Sequence, residues 1–438
     1  MPGPWLFRPA YRSGPAQAIL APMKLRILSA LCALLLLGAP PPARCDTDPK
    51  AFGSVLAQPI EDPAGRAMRS FYSALARTER REPSAVTRIL HYGDSHVAAD
   101  VMTGALRSTL QDRFGDAGPG FVHAGRPWSW YGRAGVVSGS TPRWRTENAS
   151  RGKKSDGRRG ISGVSLHTEA AGERVWLTAA CSRFDIYLLA QPGGGSVDVR
   201  LDGKPCYGAV SLASRVYASS YLEICADHPG PHTIEVESVA PGPVRVLGFV
   251  AETEGPGVVY DALGVNGARA DDALAWDWAI VASNLARRQP DLIVIGYGSN
   301  EVSDPDLDPD QYAEEFAELL RRLRRAAPAA SLLVIAPPDR AVRVVGRWRP
   351  IRRMPALVAA QRRTALGSGA AFWDLYRAMG ARGAIDRWAR QPAALAQPDR
   401  VHLTRAGYRL VAAALYSELM RAYRRSRASA MLPANDER

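Results

Sequence analysis

The hydrophobic period of this chain changes twice, and that restricts its fold more than any other feature. Thr87 to Tyr92 is an apolar strand-like run, a Gly-Asp-Ser turn follows, and 97–114 carries Val101, Leu106 and Leu110 at helical spacing. A further helix is predicted over 62–77. Between about Gly125 and Gly257 the helical period vanishes. Short alternating runs (174–178, 184–188, 197–201, 232–237 and 244–250) are separated by Pro192-Gly193-Gly194-Gly195, Asp202-Gly203 and Pro229-Gly230-Pro231. That spacing predicts a β-sandwich. After Gly257, continuous apolar strands at 291–296, 331–336 and 371–374 alternate with helices over 272–286, 310–325, 354–366 and 405–424. Uninterrupted apolar strands are buried on both faces, as in a parallel sheet covered by helices. The expected fold class is therefore α/β: a doubly wound parallel sheet, built from 46–125 and 258–425, with an inserted β-sandwich over 126–257. Residues 1–45 precede it and 426–438 form a tail. The polar, basic stretch 148–160 is predicted to be an exposed loop.

The N-terminal residues carry the marks of an export signal. Met23-Lys24-Leu25-Arg26 supplies positive charge, 27–37 is apolar, and Pro40–Pro42 and Ala43-Arg44-Cys45 follow. The apolar run is too short to span a bilayer, and no later segment is suited to do so. Residues 1–22 stand ahead of this signal, with Met23 as an alternative start. Arg44 disfavours lipid attachment at Cys45. The expected location is periplasmic or extracellular.

The formal net charge is +13, and only five of the 56 basic residues are lysine. Attraction to an anionic polymer and a plain arginine bias both account for this. No zinc-finger, basic-zipper or RNA-binding pattern is present, so nucleic acid is not an expected partner. Cys181, Cys206 and Cys225 remain beyond the signal. Cys206 and Cys225 flank a predicted hairpin, and a disulfide between them or three reduced thiols are both open. No Cys/His spacing suits zinc, and no metal or organic cofactor is expected.

Four distant segments carry groups suited to chemistry. Ser95, in His91-Tyr92-Gly93-Asp94-Ser95-His96, follows a predicted buried strand and opens a helix, where α/β sheets present reactive side chains. The same residues also make an ordinary turn. Asp399 and His402 stand three apart, close enough for a carboxylate to orient an imidazole that takes a serine proton. Gly298-Ser299-Asn300-Glu301 ends another strand, where the Asn300 amide suits an oxyanion. Gly267 in Gly264-Val265-Asn266-Gly267 offers a backbone N–H or simply meets a backbone requirement.

In order and spacing, Gly93-Asp94-Ser95, Gly267, Gly298-x-Asn300 and Asp399-x-x-His402 resemble the four blocks of the SGNH (GDSL-like) hydrolases. The resemblance covers roughly 86–122 and 258–420. It implies a Ser95–His402–Asp399 triad and an oxyanion hole formed by Ser95, Gly267 and Asn300. His96 and Glu301 depart from residues common in that family. Gly93-Asp-Ser-His-Val-Ala-Ala-Asp, the stretch 114–121 and Val258 to Ala268 are similar to Gram-negative peptidoglycan O-acetylesterases, which carry a carbohydrate-binding-like sandwich after the first block. The implied partner is an acetylated glycan, peptidoglycan with 6-O-acetyl-N-acetylmuramic acid. An O-acetyltransferase, an esterase for another polysaccharide and a non-catalytic glycan-binding wall protein are the alternatives. His91 and His96 are read as structural, and Trp128, Trp130 and Trp144 as core, with sugar stacking the alternative. Asn148 begins a chance glycosylation sequon, and Asp374 is read as a loop residue.

Overall fold

A computed structural model describes residues 57–148 and 155–431. The export signal, residues 46–56, Lys153, Lys154, part of the sequon at Asn148 and residues 432–438 lie outside the described residues.

The first parallel strand is β1 (Val86–Gly93). Nine strands of a second, antiparallel sheet follow: β2 (Gly120–Val122), β3 (Val136–Ser140), β4 (Arg145–Asn148), β5 (Val164–Thr168), β6 (Arg174–Ala190), β7 (Ser196–Leu201), β8 (Lys204–Ser211), β9 (Ala218–Ser238) and β10 (Val244–Glu252). The chain returns with β11 (Gly257–Gly264), β12 (Leu292–Gly296) and β13 (Ser331–Ile335). It then makes a hairpin of β14 (Ala341–Val344) and β15 (Arg347–Pro350), and completes the sheet with β16 (Ala371–Trp373).

The five-stranded sheet is parallel throughout, in the order β11-β1-β12-β13-β16. Alternate residues of each strand feed opposite faces. Leu90, Tyr92, Ile293 and Ile295 pack against Ile280, Leu285, Phe316, Leu320 and Leu357 of the Trp278–Arg288, Pro309–Ala326 and Met354–Gly367 helices. Ile89, Tyr260, Val294 and Leu333 pack against Phe71, Leu106, Leu110, Leu415 and Leu419 of the Arg69–Glu79, Met102–Phe114 and Arg405–Met431 helices. Burial on both faces explains why these strands read as unbroken apolar runs. The order places a topological switch beside β1, where the connections on its two sides run in opposite directions and open a crevice at the strands' C-terminal ends.

Several elements differ from the sequence expectation for local reasons. The first helix begins at Arg69, because the Asp62 carboxylate takes the N–H groups of Arg66, Ala67 and Met68 into a turn. The 97–114 helix is broken into Ser95–Ala98 and Met102–Phe114. Asp100 between them adopts φ 48° and binds the Thr103 hydroxyl at 2.7 Å and Arg107 at 2.9 Å. Asp277 caps its helix through the N–H groups of Ala279 and Ile280, leaving Asp271–Ala275 as a separate 3-10 turn. Pro229-Gly230-Pro231 does not end a strand. It lies within β9, where Gly230 opposes Cys181, and the ladder resumes with Cys225 opposite Arg183. Cys181, Cys206 and Cys225 are free thiols, so the Cys206–Cys225 disulfide is not formed. Burial pushes the Cys181 thiol up to about 12.

The antiparallel sheet encloses its own apolar cluster, which takes Val175, Leu177, Ala179 and Cys181 from the first half of β6. Beyond the irregularity at Cys181–Arg183 the inward parity switches to Phe184, Ile186 and Leu188. The opposite face of that second half, Tyr187 and Leu189, joins the core of the parallel-sheet domain. Buried charge fastens the same junction. Glu252 on β10 binds Arg88 of β1 at 2.8 Å and Arg183 of β6 at 2.6 Å, and also pairs with Arg288. Arg288 in turn binds Asp261 of β11 at 2.7 Å. Burial works against ionising Glu252, but the surrounding guanidinium groups outweigh it and hold the carboxyl well below its usual range. Arg288→Met leaves Asp261 buried without its cation, so chemical denaturation should show a loss of roughly 3–5 kcal/mol. A variant within about 0.5 kcal/mol of wild type would show that the cluster does not hold the domains together.

Candidate active site

Three glycines lie side by side at the C-terminal ends of adjacent strands. Gly93 of β1 is in register with Gly264 of β11 and with Gly296 of β12. A Cβ at Gly264 would come within 2.2 Å of the Ala98 nitrogen, and one at Gly93 within 2.8 Å of the Gly296 carbonyl oxygen. The missing side chains let the Ser95–Ala98 turn settle directly onto the sheet edge. Asp94 fixes that turn by accepting the His96 N–H at 2.9 Å. Ser95 thus stands in the first turn, where helical N–H groups have no intrahelical acceptor.

Ser95 Oγ lies 3.0 Å from His402 Nε2, and His402 Nδ1 lies 2.7 Å from Asp399 Oδ2. The other Asp399 oxygen accepts the N–H groups of Val401 at 2.9 Å and His402 at 3.0 Å. Burial acts to raise the Asp399 carboxyl, but the His402 contact and the two backbone donors prevail and keep it below the usual carboxylate range. Arg400, between them, takes φ 54° and is anchored to Asp386 at 3.0 Å. The Gln397 N–H donates to the His402 carbonyl at 2.8 Å, closing the loop. The Asp399–His402–Ser95 line therefore runs across 307 residues of sequence, with the two ring nitrogens in different roles.

Ser95 and His402 face an open cavity of about 550 Å³ that Gly267 and Asn300 also line. Gly267 follows β11 and takes φ 74°, in the left-handed region. Asn300 follows β12, and its amide donates to the Ala268 carbonyl at 2.9 Å, which ties the two loops together. The arrangement offers a hydroxyl nucleophile, a base oriented by a carboxylate, and amide donors converging on the same cavity. Among the described residues, no group of three or more His, Cys, Asp or Glu side chains is arranged to hold a metal ion.

Glu301, noted in the sequence only as a departure, is a buried brace. Its two oxygens accept the Ala270 N–H at 2.8 Å and the Gly298 N–H at 3.0 Å, joining the loops that carry Gly267 and Asn300. Arg340, Gln397 and Tyr408 line the cavity as well. Tyr408 lies on the predicted 405–424 helix, but nothing in the sequence marks it, Arg340 or Gln397 as facing the nucleophile, and only the folded chain brings them there. Of the tryptophans read as core, Trp144 is buried and Trp128 packs against the core edge, but Trp130 is 58% exposed and lines the cavity. His91 is buried in the sheet against the Tyr260 hydroxyl, with burial pushing its ring down to about 3. His96 binds the Tyr408 hydroxyl at 2.8 Å beside His402. Asp374 caps the Leu375–Ala378 turn away from the cavity.

Residues 236–410 match the model of the GDSL-like lipase/acylhydrolase family. That match begins beyond Ser95. A GDSL lipase of Mycobacterium tuberculosis (strain ATCC 25618 / H37Rv) is 34% identical over 149 residues, covering 33% of this chain and 58% of the relative. The chain thus spans little more than half the length of that relative. A solved structure described as a peptidoglycan O-acetylesterase in action superposes with a TM-score of 0.71 and 24% identity, covering 85% of this chain and all of that one. It shares the fold across both sheets.

Burial raises the Glu301 carboxyl to about 7, against the two N–H groups that favour its ionised form. Its folded-state value therefore exceeds the unfolded 4.5, so its stabilising contribution is complete below 4.5 and fades as pH rises through about 7. Glu301→Gln should remove this component, giving a flatter melting-temperature curve over that interval. Parallel curves for the two proteins would contradict the buried-brace account. Gly264→Ala should cost at least tenfold in activity on any acetyl ester and lower the melting temperature, because the Ala98 backbone must move. Wild-type behaviour in both would show that the glycine row is dispensable.

Proposed function

We propose that this chain, similar over 236–410 to the GDSL-like lipase/acylhydrolase family, is a serine esterase of that type removing O-acetyl groups from a cell-wall glycan, namely 6-O-acetyl-N-acetylmuramic acid of peptidoglycan. The observation that carries this reading is the unbroken Asp399–His402–Ser95 hydrogen-bonded line opening on a cavity with Gly267 and Asn300. The likeness to a peptidoglycan O-acetylesterase extends over the antiparallel domain and supports the choice of glycan.

In this reading His402 Nε2 takes the Ser95 hydroxyl proton as Oγ attacks the acetyl carbonyl carbon. The carbonyl π pair moves onto oxygen, and the oxyanion is held by the Ser95 and Gly267 N–H groups and the Asn300 amide. Collapse breaks the bond to the sugar oxygen, which leaves with the proton from His402. Water, deprotonated by the same nitrogen, then releases acetate from Ser95. Asp399 keeps Nδ1–H in place and balances the transient imidazolium charge. The same reading makes 23–45 an export signal that delivers the chain to its wall substrate.

Ser95→Ala should lower acetate release from an acetyl ester reporter by at least about 10³-fold, and Asn300→Ala should lower kcat by about 10²–10³-fold. Equal rates for Ser95→Ala and wild type would end the assignment. Mass spectrometry of O-acetylated peptidoglycan fragments should show one acetyl lost per muramic residue. An unchanged acetyl count with an active reporter reaction would point to another glycan.

A further inference from the structure

We propose that the β14–β15 hairpin is a docking arm that seats the chain on an anionic lipid bilayer, with its valine tip in the headgroup layer and its arginines on lipid phosphates. The inference does not rest on the esterase reading. The hairpin joins Ala341–Val344 to Arg347–Pro350 through Val345 and Gly346. Those two residues take φ 46° and 73°, the left-handed pair of a type I′ turn. Such a turn prefers Asn-Gly or Asp-Gly, and a β-branched residue there works against its own backbone. Val345 nonetheless occupies the tip and is 96% exposed. Neither solvation nor turn geometry accounts for a valine in that place.

Directly opposed residues of an antiparallel pair share a face. Val342 opposes Arg349 and Val344 opposes Arg347, and all four are exposed. The other face roots the arm. Ala341 is buried, and Trp348 packs on the core with the Arg400 guanidinium 5.3 Å from its ring. The Ala341 N–H donates to the Arg400 carbonyl at 3.1 Å, so the root adjoins the loop that carries Asp399 and His402. The outward face and tip therefore present Val342, Val344 and Val345 to solvent with arginines beside them. A chain docked through this face holds its active-site loop next to the bilayer.

Charge selects the occupant. From Arg340 to Arg353 the chain carries six arginines and no acidic residue, whereas over its whole length 43 acidic residues offset 56 basic ones. Arginines on a free sheet edge guard it against pairing, and they repel a second copy of this basic chain. Neither use calls for exposed valines. A soluble polyanion satisfies the arginines and leaves the valines in water. An anionic bilayer serves both, because the tip enters the headgroup boundary while the arginine stems lie along it and reach the phosphates.

The test is hydrogen exchange of the full chain with vesicles of phosphatidylcholine containing one third phosphatidylglycerol. Amides of 342–349 should exchange more slowly on these vesicles and not on pure phosphatidylcholine, and added salt should reduce the effect. Val344→Ser combined with Val345→Asn removes the apolar tip and suits the turn. It should raise the lipid concentration that half-protects the hairpin at least about tenfold without lowering the melting temperature. Arg347→Gln combined with Arg349→Gln should raise it by about fivefold per arginine. Acetate release from a soluble acetyl ester should be unchanged in both, since none of these residues lines the cavity. No protection of the hairpin on the anionic vesicles, or protection that survives intact in folded Val344→Ser/Val345→Asn, would overturn the proposal. Protection on purified peptidoglycan sacculi but not on vesicles would also overturn it and give the hairpin to the wall glycan. Should either variant fail to fold, the wild-type contrast between the two vesicle compositions still decides.

Discussion

The row formed by Gly264, Gly93 and Gly296 is the constraint on which the site depends. Parallel pairing sets the three strand ends level, and the absence of Cβ atoms lets the following segments fold down onto that edge. Ser95, Gly267 and Asn300 leave from neighbouring strands within a few residues of the row. Their meeting is therefore a matter of register before it is a matter of side-chain chemistry. A slip of one residue in β11 against β1 would reverse its faces and carry Gly267 away together with half of the core.

That register is maintained across a long excursion. β1 and β11 are paired along their whole length, yet the antiparallel sheet lies between them in sequence. A parallel pair always needs a crossover, and here the crossover includes a domain. The domain is bound to its host by the two-sided burial of β6 and by the Glu252–Arg288–Asp261 chain of charges, both close to β1 and β11. The insertion thus clamps the strands it separates. It also sends Trp130 into the cleft, so the cavity wall belongs to both parts.

The parallel sheet was legible because burial on both faces leaves apolar runs that no other element produces. The meeting of Ser95, His402 and Asp399 was foreshadowed because each sits in a short segment with its own turn chemistry. The antiparallel sheet was legible in outline only. A strand whose inward parity switches at Cys181, and a ladder that skips residues 226–229 just before Gly230, look like two strands and a turn in sequence. Helix boundaries moved where an aspartate captured backbone N–H groups, at Asp62 and Asp277, or took a left-handed conformation, at Asp100. Glu301 could not be read as a brace in the sequence, since its significance lies in the two loops it joins after folding.

Ser95 and His402 stand 307 positions apart, and that separation also sets a schedule. During synthesis the serine emerges with the first strand, and the antiparallel domain and most of the parallel sheet follow before the base exists. The loop at Asp399–His402 is held by Asp386 and continues into the Arg405–Met431 helix, which packs on the Met102–Phe114 and Arg69–Glu79 helices. Ser95 therefore has no base until the later part of the parallel-sheet domain has been made. The Ser95–His402 contact thus waits on the docking of the Asp399–His402 loop.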